Sequence, residues 1–306
     1  MPTAHLMLAR KPNGKDSVPQ RQGIAGSEQD KGPLFQHSTR QSNFAIALGM
    51  AEVTYHSIVR SIRKQHNNAF IAIAMNMLQM FVFVLAFYVM FWVLGLRSAQ
   101  IRGDFLVYIM TGIFIYMTHV KALGAVVGSE GPASAIMKHA PMNTAIAISS
   151  AALGALYIQI LSMFVILYIY HAAFNPIEIY DPIGCIGMLL LAWFTGVALG
   201  LVLLSIKPWF PTFVSIFSQI YQRANMIASG KMFVANTMPG FMLAMFDWNP
   251  LFHIIDQSRG FAFKNYFPRY SNWEYPLIVG LVLVVIGMMG EFYTRKQASM
   301  SWNARR

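Results

Sequence analysis

Charge is what this sequence has least of. Only 11% of its 306 residues are Asp, Glu, Lys or Arg, against about 25% in soluble domains. A soluble chain of this size would lack the polar surface to cover its core. A cytosolic enzyme, a disordered scaffold and a fibrous protein are thereby excluded as the main reading. Acidic residues are scarcer than basic ones: 12 against 23, for a net charge of +11. Cysteine occurs once, as Cys185. No intramolecular disulfide can form, and in its apolar run the thiol reads as buried and inert. Eight histidines are scattered without the Cys and His spacing of a zinc site. There is no G-x-x-x-x-G-K-[ST] loop, no H-E-x-x-H, no G-x-S-x-G and no G-x-G-x-x-G. The nearest fragment, Ser229-Gly230-Lys231, lacks the upstream glycine. ATP is not held by a P-loop in this chain, and nothing calls for a catalytic, cofactor or metal site of its own.

Apolar residues make up 56% of the chain, and they come in long runs. The reading is an all-α polytopic membrane protein. Residues 1–45 are polar, without apolar periodicity, and read as a disordered cytoplasmic tail. Residues 46–68 read as an amphipathic interface helix. Its pattern is clearest from Ala51 to Lys64, where Ala51, Tyr55, Ile58, Val59 and Ile62 share one face and His56, Arg60, Arg63 and Lys64 the other. A transmembrane domain follows over 69–294. A basic cytoplasmic tail, 295–306, ends the chain.

Six transmembrane helices are expected in that domain. The first is Ala69 to Leu96, free of charge and long enough for a ~30 Å core at about 1.5 Å per residue. The second is Phe105 to about Val127. The third lies within Asn143 to Ala173, and the fourth is Pro182 to Ile206. The fifth starts near Phe210 and carries Arg223. The last is Tyr275 to Tyr293. Met232 to Phe246, broken by Pro239 and Gly240, is too short to span and reads as a re-entrant segment or an interfacial helix pair before the last span.

Six spans put both termini on one side. Residues 1–69 hold nine Lys and Arg and the last twelve residues hold four. Both termini are therefore expected in the cytoplasm by the positive-inside rule. The same rule explains the basic excess better than nucleic acid does. Lys231, Arg259, Lys264 and Arg269 conflict with it, because they fall on the outer side.

Three features bear on function. The loop Gly128 to Asn143 is opened by Glu130, Gly131 and Pro132 and closed by Pro141, leaving room for a short helix from Ala133 to His139 that includes Ser134 and Lys138. Helix breakers on both sides suit a docking element. The segment Trp248 to Phe263 begins a helix at Asn249-Pro250. Asp256 and Arg259, three apart on it, are expected to pair and pin a loop to the bundle. Tyrosines and tryptophans are spread over the spans, where most serve packing and the interface but where sugar rings can also stack. Arg223 sits in a span, so it faces an interior path or snorkels outward.

Together the basic amphipathic helix, six spans, the SEGPASAIMKHAP loop, the Pro239-Gly240 piece and the NPLFHIIDQSRGF segment resemble the ABC-2 type transporter permeases. Within them the chain is most similar to subunits exporting capsular polysaccharide or lipopolysaccharide O-antigen. The resemblance covers about residues 45–300. It implies a homodimer in the bacterial inner membrane, each copy docked on a separate P-loop ATPase subunit that binds ATP and Mg. It implies membrane lipid and a glycan substrate as further partners. The partner-coupling loop would be Glu130, Gly131, Pro132, Ser134, Lys138, His139 and Pro141. The interface helix would include Tyr55, Ile58, Arg60, Ile62 and Arg63. The outer gate and loop would hold Arg223, Pro239, Gly240, Asn249, Pro250, Asp256 and Arg259. Alternatives are another cargo on the same architecture (a drug, teichoic acid or another lipid-like solute) or a membrane-embedded transferase. The latter would have only His119, His139 and His253 as candidate groups.

Overall fold

A computed structural model describes residues 49, 52–59, 69–95, 101, 103–131 and 144–303. Among these residues every regular element is helical. In chain order they are α1 (52–59), α2 (Ala69–Val93), α3 (Phe105–Val127), α4 (Thr144–Ala173), α5 (Pro182–Ile206) and α6 (Pro211–Ala228). A 3-10 turn at Ala235–Thr237 follows, then α7 (Gly240–Phe246), α8 (Pro250–Ala262) and α9 (Glu274–Asn303). Five of the helices, α2, α3, α4, α5 and α9, are long and apolar enough to cross a membrane. The chain is thus an α-helical polytopic membrane protein.

The helix starts follow from local chemistry. Asp104 caps α3 by accepting from the Leu106 amide at 2.9 Å, and Asp181 caps α5 by accepting from Ile183 and Gly184. Each satisfies amides that the first turn leaves unpaired. Pro182 and Pro250 stand in first turns, where a missing N–H costs nothing. The first span ends at Val93, three residues short of expectation. Gly95 takes a φ of +68°, the left-handed conformation that closes helices. The last helix instead overruns its expected end at Tyr293 and continues through the basic stretch to Asn303.

Helices α3 and α5 form the centre, with α9 packed along α5, α8 across both, and α2 and α4 on the other flank of α3. Lipid tails are as apolar as the side chains, so close backbone approach rather than water exclusion holds such helices together. Gly200 faces α3, where an added Cβ would sit 2.8 Å from Val126 Cβ. Gly287 faces α5, where an added Cβ would meet Leu201 Cβ at 2.7 Å. Polar ties fix the ends. Lys207 Nζ donates to the Val127 carbonyl at 2.6 Å, a cation at a helix C-terminus. Thr144 donates to Glu291 at 2.6 Å, and Tyr170 donates to Asp104 at 2.5 Å.

The expected fifth span corresponds to α6. With 18 residues it is the shortest of the long helices, and it is not among the five apolar enough to span. Gln219, Gln222, Arg223 and Asn225 lower its apolarity. The expected re-entrant stretch holds only the 3-10 turn and the seven-residue α7, whose residues are all at least partly exposed.

Candidate functional site

A cavity of about 730 Å³ opens between α2, α3 and α4, with Gln222 of α6 at its edge. Its wall is unusual for a bundle of apolar helices. Asn76 and Gln79 enter from α2, Lys121 and Tyr116 from α3, and Gln159 from α4. Asn76 Nδ2 donates to Gln159 Oε1 at 2.7 Å and to Ser162 Oγ at 3.0 Å. Lys121 Nζ donates to Gln79 Oε1 at 2.6 Å. Gln159 is 2% exposed and its Nε2 has no partner. Among the described residues no Asp or Glu lines the cavity. Polar groups at this depth are costly in lipid and mark a path or a ligand.

Beside the cavity lies a buried lysine, and burial pushes its amine down to a pKa of about 7. Lys231 follows Gly230, whose φ of +70° turns the chain inward from the end of α6. Its ammonium sits 3.6 Å from the Tyr116 ring centre, 4.7 Å from Phe87 and 5.6 Å from Phe83. It has no hydrogen-bond partner. Tyr116 and Phe83 also line the cavity, so the aromatic wall separates the ammonium from it.

The strap that carries Lys231 is held by Arg259. That guanidinium, 1% exposed, donates to the carbonyls of Gly230, Phe233 and Lys231 at 3.1, 2.6 and 2.6 Å and lies over the Tyr108 ring. Gly112 of α3 makes room, because an added Cβ would be 2.9 Å from Lys231 Cβ. The expected pairing of Arg259 with Asp256 is therefore corrected. Asp256 accepts from the hydroxyls of Tyr266 and, at 2.7 Å, Ser271. The two charges leave α8 toward different loops. Burial, and then the Asp256 carboxylate beside it, push the Tyr266 hydroxyl above its ordinary pKa.

The remaining outer residues have plain places. Asn249 caps α8 at 3.1 Å from the Leu251 amide and donates to Asn225 Oδ1 at 2.8 Å, fastening α8 to the end of α6. Pro250 is in the first turn of α8, Pro239 precedes α7 and Gly240 begins it. Arg223 is exposed; on another side of α6 Phe213, Phe217 and Tyr221 stack in a row, with centres 5.9 and 6.3 Å apart. Of the interface helix, Tyr55 is exposed and Ile58 packs with Ala72 and Ile158, while Arg60, Ile62 and Arg63 lie outside the described residues. Of the coupling loop, Glu130 and Gly131 follow α3. Pro132, Ser134, Lys138, His139 and Pro141 lie outside the described residues.

Two of the transferase candidates are engaged structurally. His119 is buried between Tyr221, whose hydroxyl donates to Nε2 at 3.0 Å, and the Ala192 carbonyl, which accepts from Nδ1 at 3.2 Å. The carbonyl can only accept, so the proton sits on Nδ1. His253 Nε2 donates to the Asp247 carbonyl at 2.6 Å, and its Nδ1 accepts from Asn272. Sequence reading missed Lys231 and the whole amide cluster. Its signal was present in the spacing: Asn76 and Gln79 stand three apart in α2, as do Gln159 and Ser162 in α4, so each pair shares one helical face. No protein-family model matches the chain, and comparison with curated proteins gave no match.

Proposed function

We propose that this chain is the permease subunit of an ATP-driven ABC-2 type exporter that moves a polysaccharide or lipid-linked glycan across the bacterial inner membrane. The observation that carries the reading is α6. It is amphipathic and comparatively polar within an apolar bundle: its exposed surface carries the stacked Phe213 and Phe217 on one side and Gln219 and Arg223 on another, while Tyr221 turns inward to His119. Such a surface is poorly suited to lipid and well suited to a wet path between two copies. Stacking on aromatic rings tolerates different sugars and lets a repeating chain slide. In this reading α6 is the fifth of six spans, 232–246 is a re-entrant segment at the outer gate, and both termini are cytoplasmic.

ATP and Mg belong to a separate P-loop ATPase chain. Its closure would reach the permease through the 130–141 loop as rigid-body movement. Helix α1 would lie at the cytoplasmic interface. The test is affinity purification from the native membrane with mass spectrometry. A stoichiometric P-loop ATPase is expected, and another assembly in its place would overturn the proposal. Ser134→Pro is expected to leave the protein in the membrane and abolish export of surface glycan. Normal export would remove the loop from the coupling path.

A further inference from the structure

We propose that the cavity between α2, α3 and α4 binds a lipid of net negative headgroup charge through its phosphate, with Lys121 and Gln159 holding the headgroup and the α2 wall receiving the chain. The inference stands apart from the export reading, because it needs neither an ATPase nor a glycan.

The donor set leads to it. Gln159 lines the cavity, and its Oε1 is occupied by Asn76, which leaves Nε2 buried and unpaired at the cavity wall's inner side. A buried donor without an acceptor costs free energy that a ligand oxygen would recover. Lys121 spends one N–H on Gln79 and keeps two. Among the described residues Lys121 is the only charged one in the lining, so they give the cavity one positive charge and no negative one. An anion whose oxygens only accept complements that set, and phosphate does so. A cationic ligand would meet Lys121 without a counter-charge.

The shape supplies the second half. The cavity is far larger than a phosphate needs, and its α2 side is apolar: Met75, Leu78 and Val82 line it and are about half exposed on the outer surface of the bundle. The cavity therefore opens toward the bilayer along an apolar edge. A free anion would leave that edge empty, whereas a lipid covers it with its first chain carbons.

The experiment uses the full chain reconstituted in phosphatidylcholine nanodiscs. Phosphatidylglycerol with a diazirine near the headgroup end of its chain is the probe, and adducts are mapped by mass spectrometry. Adducts are expected on the α2 stretch 72–82 and the facing part of α4. Lys121→Gln and Gln159→Glu, each first shown to melt like the wild type, are expected to lower the yield about tenfold, as loss of a charge-assisted bond would. Lys121→Arg keeps the charge and is expected to retain labelling. Equal labelling by a phosphatidylcholine probe, or unchanged labelling of Lys121→Gln, would overturn the proposal. Should the variants fail to fold, the comparison of the two probes on the wild type still decides. Displacement by millimolar inorganic phosphate would assign the site to the free anion and overturn its lipid half. Loss of binding here would leave the ATPase co-purification untouched, so the two readings fail separately.

Discussion

Arg259 spends its guanidinium on three carbonyls of one short strap. Each bond to a charged donor is worth about 1.5–3 kcal/mol, and lysine cannot reproduce the fork. Arg259→Gln and Arg259→Lys are both expected to lower the melting temperature in detergent substantially, as read by scanning fluorimetry. Asp256→Asn is expected to cost less, because an amide still accepts from Tyr266. The double exchange Asp256→Arg with Arg259→Asp is expected to give no rescue, since the two charges serve different loops. Recovery of stability there would restore the ion pair that the spacing had suggested. Lys231 carries the opposite sign of effect. Three rings face its ammonium, and cation–π contacts return about 2 kcal/mol. Burial without a hydrogen bond costs more than that, and it is what pushes the Lys231 pKa down to about 7. Lys231→Met is therefore expected to raise the melting temperature. If the same variant loses export, the lysine is kept for function at the expense of stability. None of this was legible in advance. Composition and periodicity rank charges by type, and they do not tell a charge in a turn that dips inward from one facing water.

Elements were far more legible. Helices α3 and α5 run from Phe105 to Val127 and from Pro182 to Ile206, as the apolar runs indicated. Asp104 and Asp181-Pro182 are strong punctuation because they satisfy orphan amides. Ends governed by backbone conformation or by continued helix propensity were missed, at Gly95 and beyond Tyr293. The glycines of α9 were also silent in sequence. Gly287 faces Leu201 so closely that a methyl must displace it. Gly287→Leu is expected to lower the melting temperature by an amount matching overpacking of about 1–3 kcal/mol. Gly187, with open space where its Cβ would be, is expected to accept Ala almost unchanged in the same assay.

At the scale of the molecule, two of the four bases that conflicted with the expected topology are not loop charges in the usual sense. Lys231 and Arg259 are buried, while Lys264 and Arg269 are exposed. The positive-inside bias counts charges in short loops near span ends, so the conflict falls by half. Sidedness is measurable. In a Cys185→Ser background, single cysteines at Trp209 and Asn265 are tested with a membrane-impermeant maleimide on intact cells. If α6 crosses, Asn265→Cys reacts from outside and Trp209→Cys does not. If it does not cross, the two behave alike.

Helix α9 has 30 residues, about 45 Å at 1.5 Å per residue, while the hydrocarbon layer is about 30 Å. Tyr275 donates to the Trp248 carbonyl near one end, and Trp209 donates to Thr294 at 3.4 Å well along toward the other. The helix is a stiff rod pinned at two heights. When the surrounding bilayer thins or thickens, such a rod answers by leaning, and a lean carries its two ends in opposite directions. A change in bilayer thickness would thus move the loop before α9 and the basic end of that helix together.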